Sequence, residues 1–260
     1  MYLKFWLKTA LYYYVPGGYG YVRHLRKFHD PNYIYSRDKH RVRDKHHRKG
    51  GWKDQKQGDF HYRDYDDYEE YLNHQAQKFN EMLKIRGGFT NRMISDYRRK
   101  FYRRFRHLAA FVPNSGHILC AGARQGTEVE VLHDLGFKNA YGIDLNPGPD
   151  NRFVCVGDFM KLDSPDSSLD MIYCNSIDHA FNLESLFSEH ARVIKPDGYV
   201  LYDIAFRENG ASKMGAFEAV RWKSEEALFL FMLKYFKKVV KVETEPGWKW
   251  VLLQGKSTPQ

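Results

Sequence analysis

A chain of 260 residues, 43% hydrophobic and 16% aromatic, has the apolar material for one sizeable core plus an appendage. No apolar run approaches the roughly 20 residues of a membrane-spanning helix, and the most apolar N-terminal piece, "MYLKFWLKTALYYYV", is interrupted by Lys4 and Lys8 and lacks a small-residue cleavage site. The net charge of +9 lies wholly in residues 1–50, with 12 Lys and Arg against 3 Asp and Glu, while residues 51–260 balance at 29 against 29; this excludes a globally basic body and describes a basic arm on a neutral domain.

In chain order, residues 1–64 read as that arm, rich in tyrosine and turn formers and without sustained periodicity. Its composition suits an anionic membrane surface, through Lys4, Trp6 and Lys8 with the tyrosines. It equally suits a nucleic acid, through basic and stacking side chains, or no partner beyond solvent. His40, His46 and His47 have no matching acid or thiol spacing, and no metal is assigned to them. Residues 65–115 predict two helices, one over 68–83 and one over 91–112, separated by "RGGF" and stopped by Pro113.

From residue 116 to 260 strands and helices alternate. "HILCAG", "AYGID", "RFVCVGD", "LDMIYCN" and "YVLYDIAF" read as strands, with helices at "TEVEVLHDLG", "NLESLFSEHARVI" and "SEEALFLFMLKYF". Interleaving of this kind predicts an α/β sheet with parallel neighbours. The last two strands, "KKVVKVET" and "WKWVLLQG", are too close for a crossover and predict an antiparallel hairpin. Only Leu145 to Arg152 joins the second and third strands of this core, too short for a full helix. Cys120, Cys155 and Cys174 show no CxxC spacing and lie in apolar runs, which predicts buried reduced thiols in a cytoplasmic protein.

The turn in "ILCAGARQGTEVEVL" holds Gly122 and Gly126 between a strand and a helix. Glycine there lets a ligand approach the backbone, and the helix start beyond offers unpaired N–H groups. Asp144 ends the next strand, where a carboxylate can accept both hydroxyls of a ribose. Asp158 ends the third, where it can take an exocyclic amine while Phe159 offers its ring or backbone. Together they outline a nucleoside site.

In these motifs the chain resembles the class I S-adenosylmethionine-dependent methyltransferases. "ILCAGARQG" is similar to their glycine motif, "YGIDLNP" to the acidic motif after it, "GDF" to the third and "LDMIYCNSIDHAF" to the fourth; "HARVIKPDGYVLYDI" resembles the run that follows. The resemblance covers about residues 116–255. It implies a Rossmann-like seven-stranded sheet ending in an antiparallel hairpin, with S-adenosyl-L-methionine as cofactor. By it Gly122 and Gly126 would lie against the methionine part, Asp144 would bind ribose, and Asp158 with Phe159 would hold adenine; Asn175, after the fourth strand, joins the cofactor set. The arm and the two helices before the core would form a lid, bringing His74 and Lys78 over the cofactor.

Two departures stand out. Cys120 occupies the position of the family's acid and Arg124 that of its middle glycine. A thiol cannot anchor an ammonium, so Glu128 in the first helical turn is the candidate for that role, with Arg124 as partner of the methionine carboxylate. On the acceptor side "NSIDHAFN" suggests His179 as proton acceptor oriented by Asp178. There is no "NPPY" or "DPPY" here, the family's usual signature for amine methylation, which favours an oxygen acceptor. The expected function is O-methylation of a small molecule or a glycan- or lipid-linked precursor. A methyltransferase acting on RNA or another nucleic acid and a non-catalytic cofactor-binding relative are the alternatives. Salt-dependent polynucleotide binding would mark the first and failure to bind cofactor the second.

Overall fold

A polar hairpin opens the described chain. In this computed structural model the described residues are 54–86, 91–147, 151–206, 217–245 and 247–257, so expectations placed on residues 1–53 lie outside them. Strands β1 (Asp54–Gln57) and β2 (Phe60–Arg63) pair antiparallel around Gly58. Helix α1 (Tyr68–Arg86) follows, capped by Asp67, whose Oδ1 accepts the Glu70 N–H at 2.8 Å, and carrying Glu69 and Glu70 in its first turn, where the helix dipole favours acid. Helix α2 (Asn91–Phe105) buries Phe101 and Phe105, one turn apart, against the sheet, each contributing about 1.5–3 kcal/mol of burial. It ends sooner than the sequence pattern predicts, giving way to a 3-10 turn at Leu108–Ala110.

The core runs β3 (Ile118–Ala121), α3 (Thr127–Asp134), β4 (Ala140–Asp144), β5 (Val154–Val156) and β6 (Leu169–Cys174). After a 3-10 turn at Ile177–His179 come α4 (Leu183–Val193), β7 (Ile194–Ala205), β8 (Val220–Trp222), α5 (Glu225–Met232), β9 (Phe236–Glu245) and β10 (Trp248–Lys256). Asn182 and Ser224 cap α4 and α5 through Ser185 N and Ala227 N. No helix lies among the described residues between β4 and β5, as the short connection requires.

Seven strands form one sheet in the order β5-β4-β3-β6-β7-β10-β9. All pairs are parallel except those of β10, which runs antiparallel to both β7 and β9. The "KPDG" stretch, read as a turn before the strand, is instead the start of β7, and the pairing register shifts there between Leu169 and Met171 of β6. Two cores flank the sheet. One contains Tyr71, Phe187, Tyr202, Leu228 and Phe236, the other Phe101, Phe105, Val129, Leu132 and Tyr173. In the second, Asp203 of β7 pairs with Arg104 of α2 and accepts the Tyr173 hydroxyl at 3.2 Å, which fixes α2 on the sheet.

Two expectations need correction. The arm was bounded at residue 64, yet β2 pairs with β8, Phe60 opposite Trp222, so residues 54–63 belong to a second, three-stranded sheet. A partner strand so far along the chain leaves no local periodicity to read. Cys120 and Cys174 are buried, but Cys155 is exposed, because β5 is the edge strand of the large sheet.

Candidate active site

The strand order reverses between β3 and β6, and a crevice opens where the carboxyl ends of neighbouring parallel strands diverge. Every site residue that the sequence suggests lies at or just beyond these ends. Gly122 and Gly126 have φ of +77° and +73°, the left-handed region in which a Cβ is penalised. Gly122 N and Ala123 N both donate to Ile143 O, at 2.9 and 3.0 Å, folding the turn back onto β4. Between the glycines Arg124 also takes a positive φ, +38°.

Asp144 organises this turn. Its Oδ2 accepts the Arg124 N–H at 3.0 Å and its Oδ1 the Asn146 N–H at 2.7 Å, so one carboxylate ties the glycine turn to the loop after β4. Asn151 adds a second tie, donating to Arg124 O at 2.7 Å. Asp158 accepts Met160 N–H at 2.8 Å and, through its other oxygen, the hydroxyl of Tyr68. That contact brings α1 onto the crevice, and sequence reasoning missed it because Tyr68 precedes Asp158 by 90 residues. Phe159 is buried in the core, so its ring is not a surface for adenine and only its backbone is on offer. Asn175 accepts the Ser176 hydroxyl at 3.0 Å.

Glu128 is buried in the first turn of α3. Burial pushes its carboxyl up from 4.5 to about 8; the Asp144 charge adds to this, and the Lys100 and Arg124 cations oppose it. A buried acid short of a counter-charge suits a ligand that carries an ammonium, so this structure fits the cofactor that the sequence implies.

On the acceptor side His179 and Asp178 are adjacent but not coupled as expected. His179 Nδ1 is 2.8 Å from Phe217 O, so that nitrogen carries the proton and donates, and Nε2 has the lone pair. Lys78 of α1 donates to Nε2 at 2.7 Å. Asp178 Oδ1 stands 3.9 Å from Nε2, beyond hydrogen-bond reach and on the wrong nitrogen to set the tautomer. The Phe217 carbonyl therefore orients the ring, since it holds the nitrogen that carries the proton. Gln75 holds the same carbonyl at 3.0 Å, and the Tyr71 hydroxyl donates to His179 O at 3.0 Å. With Tyr68, these contacts staple α1 along the crevice; His74 contributes by stacking on Phe217.

Burial and the nearby Lys78 charge hold the His179 imidazole well below its usual value. Burial and Arg124 bring the Lys78 ammonium down from 10.5 to about 8, against the pull of Asp178, Glu218 and Asp144. Asp178 is pushed up to about 7 by burial and by Glu218. Sequence reasoning missed Glu218 and Phe217 entirely, since no motif marks the stretch before β8.

Comparison with known proteins follows this geometry. Residues 119–202 match the family model described as a methyltransferase domain. The matched stretch runs from β3 into β7 and takes in the glycine turn, Asp144, Asp158 and His179. The seven-stranded sheet is the Rossmann-like class I arrangement. Among solved structures the chain is similar to the 1,6-didemethyltoxoflavin-N1-methyltransferase of Burkholderia thailandensis, solved with 1,6-didemethyltoxoflavin and S-adenosylhomocysteine. That likeness has a TM-score of 0.58 at 14% identity, covering 79% of this chain and 100% of that one. A Pyrococcus horikoshii OT3 protein aligns with a TM-score of 0.53 at 21% identity, covering 68% and 99%. A search of curated proteins finds no sequence match. Among the described residues no helix is long and apolar enough to cross a membrane.

Proposed function

We propose that this methyltransferase acts on an oxygen atom of a small molecule or of a glycan- or lipid-linked precursor. The observation that carries the reading is the Lys78–His179 pair, two nitrogen bases 2.7 Å apart in a half-buried setting beside the crevice. A hydroxyl is a poor nucleophile until its proton is removed, and a positioned base does that work, whereas a neutral amine already carries its lone pair. The stapling of α1 by Tyr68, Tyr71, Gln75 and Lys78 supports a compact acceptor over a polymer. Here Gly122, Gly126 and Asp144 would hold the cofactor, Asp158 and the Phe159 backbone its adenine, and Glu128 with Arg124 its amino-acid end.

The test is transfer of labelled methyl from S-adenosylmethionine into a fractionated extract. Label is expected in low-mass or glycolipid fractions, on products resistant to nuclease and protease. Label that nuclease or protease releases overturns the reading.

A further inference from the structure

Asp178, His179 and Glu218 each place one ligand-type atom within 4.8 Å of the others. Two carboxylates and an imidazole gathered in this way call for a cation, and the chain itself supplies one, the Lys78 side chain on His179 Nε2. Glu218 Oε2 is buried with no hydrogen-bond partner among the described residues, so the cluster stays rich in negative charge around that nitrogen.

The arrangement also decides which base is free. His179 Nδ1 is committed to the Phe217 carbonyl and its only lone pair, on Nε2, to Lys78. Taking a further proton at Nε2 means giving up that bond. Lys78 in its amine form keeps a lone pair while donating one hydrogen to Nε2. Its charge also feels those of Arg124 in the glycine turn and Asp144 at the end of β4.

Resting on the methyl-transfer reading above, we propose that Lys78 takes the proton from the methyl acceptor, and that His179 is a positioning residue that holds the Lys78 nitrogen in place. The acceptor O–H bond breaks, a new N–H bond forms on the Lys78 amine, and the electron pair stays on oxygen for attack. The resulting ammonium returns its proton to water after turnover. Its charge is set by burial and by Arg124, Asp178, Glu218 and Asp144, with His179 in direct contact and His74 acting on His179.

The experiment uses full-length protein with 15N-labelled lysine. The Lys78 signal, assigned by its loss in Lys78→Met, is expected to titrate near pH 8 in the cofactor-free protein; titration at the ordinary lysine value overturns the proposal. In the rate assay Lys78→Met should lose at least 10²-fold in kcat, the contribution of a positioned base. Lys78→Arg keeps the cation and the bond to Nε2 but cannot accept a proton, so it should be as slow. Full turnover in Lys78→Arg overturns the proposal in favour of a charge effect. His179→Gln offers an oxygen acceptor to Lys78 and should stay within about tenfold of the wild-type rate with the same pH profile; a loss as large as that of Lys78→Met returns the role to His179. Binding of S-adenosylhomocysteine, measured on the same samples, separates the two levels: no binding sinks the methyltransferase reading, and normal binding with an unshifted Lys78 sinks only the assignment of Lys78.

Discussion

The two halves of the crevice are built on different principles. In the cofactor half the acids are answered by backbone N–H groups, Asp144 by those of Arg124 and Asn146, Asp158 by that of Met160. Such partners do not titrate, so in this half the titration is left to the buried Glu128. In the acceptor half Lys78, Asp178, His179 and Glu218 are one another's partners and share a buried setting. There the charge of each group sets that of the next. One half is organised to bind and the other to move a proton, and pH should act on them unequally.

The largest effect should come from breaking the acceptor half alone. His179→Ala removes the atom that holds Lys78 and is expected to lower kcat by about 10²-fold or more, within the usual range for acid–base groups. Affinity for S-adenosylhomocysteine should stay within twofold by calorimetry; a parallel loss of binding would show that the halves are not separable. Next is Asp144→Ala, which removes a charged acceptor from the cofactor half. It should weaken binding by about 1.5–3 kcal/mol, the range for hydrogen bonds to charged groups. Unchanged affinity in a folded variant would end the ribose assignment.

The same contrast explains what the sequence could reveal. Gly122, Asp144 and Asp158 follow consecutive strands, so local pattern alone placed them on one edge. The alternation of strands and helices, the hairpin of β9 and β10 and the missing helix after β4 were likewise legible, because each follows from short-range spacing. The acceptor half was not. Lys78 and His179 are 101 residues apart, and His179 and Phe217 are 38 apart. Adjacency made Asp178 look like the hydrogen-bond partner of His179, but both ring nitrogens are taken by groups far along the chain, Lys78 and Phe217. The strands at 54–63 were lost in a polar stretch because their partner, β8, lies far along the chain.

A smaller effect distinguishes the halves by pH. Glu128, raised to about 8 by burial, is largely protonated in the cofactor-free protein at neutral pH. An ammonium beside it favours the ionised form, so binding of S-adenosylhomocysteine should release a proton and tighten up to about tenfold per pH unit between pH 6 and 8. Calorimetry in buffers of different ionisation enthalpy counts that proton, and Glu128→Gln should abolish its release. The stability of the cofactor-free protein should run the other way. A carboxyl whose folded value is raised binds more protons folded than unfolded between 4.5 and about 8, so Glu128, joined by Asp178, makes the protein less stable as pH rises through that window. The depressed His179 and His190 act in the opposite sense below about pH 6.5, so the Glu128 contribution is read from the melting-temperature difference between wild type and Glu128→Gln; a difference that does not change from pH 5 to 8 would contradict the shift.

The smallest expected effect lies at Arg124, where the two halves touch. Its φ of +38° is a conformation that suits glycine, and a non-glycine residue there costs about 1–2 kcal/mol. Arg124→Gly relieves that cost but gives the unfolded chain more freedom, about 0.5–1 kcal/mol in the opposite direction, so a net gain in stability of a few tenths to about 1 kcal/mol is expected. Function should change with the other sign. The guanidinium helps hold the charges of Lys78, Glu128 and His179, and on the proposed reading it would face the amino-acid end of the cofactor. Its loss should weaken S-adenosylhomocysteine a few-fold and move the Lys78 titration upward. Thermal melts and calorimetry on one variant read both signs. A more stable variant that binds worse shows strain retained for binding; a more stable variant that binds equally well would remove the Arg124 side chain from the cofactor site and leave its backbone bonds to Asp144 and Asn151 as its contribution there.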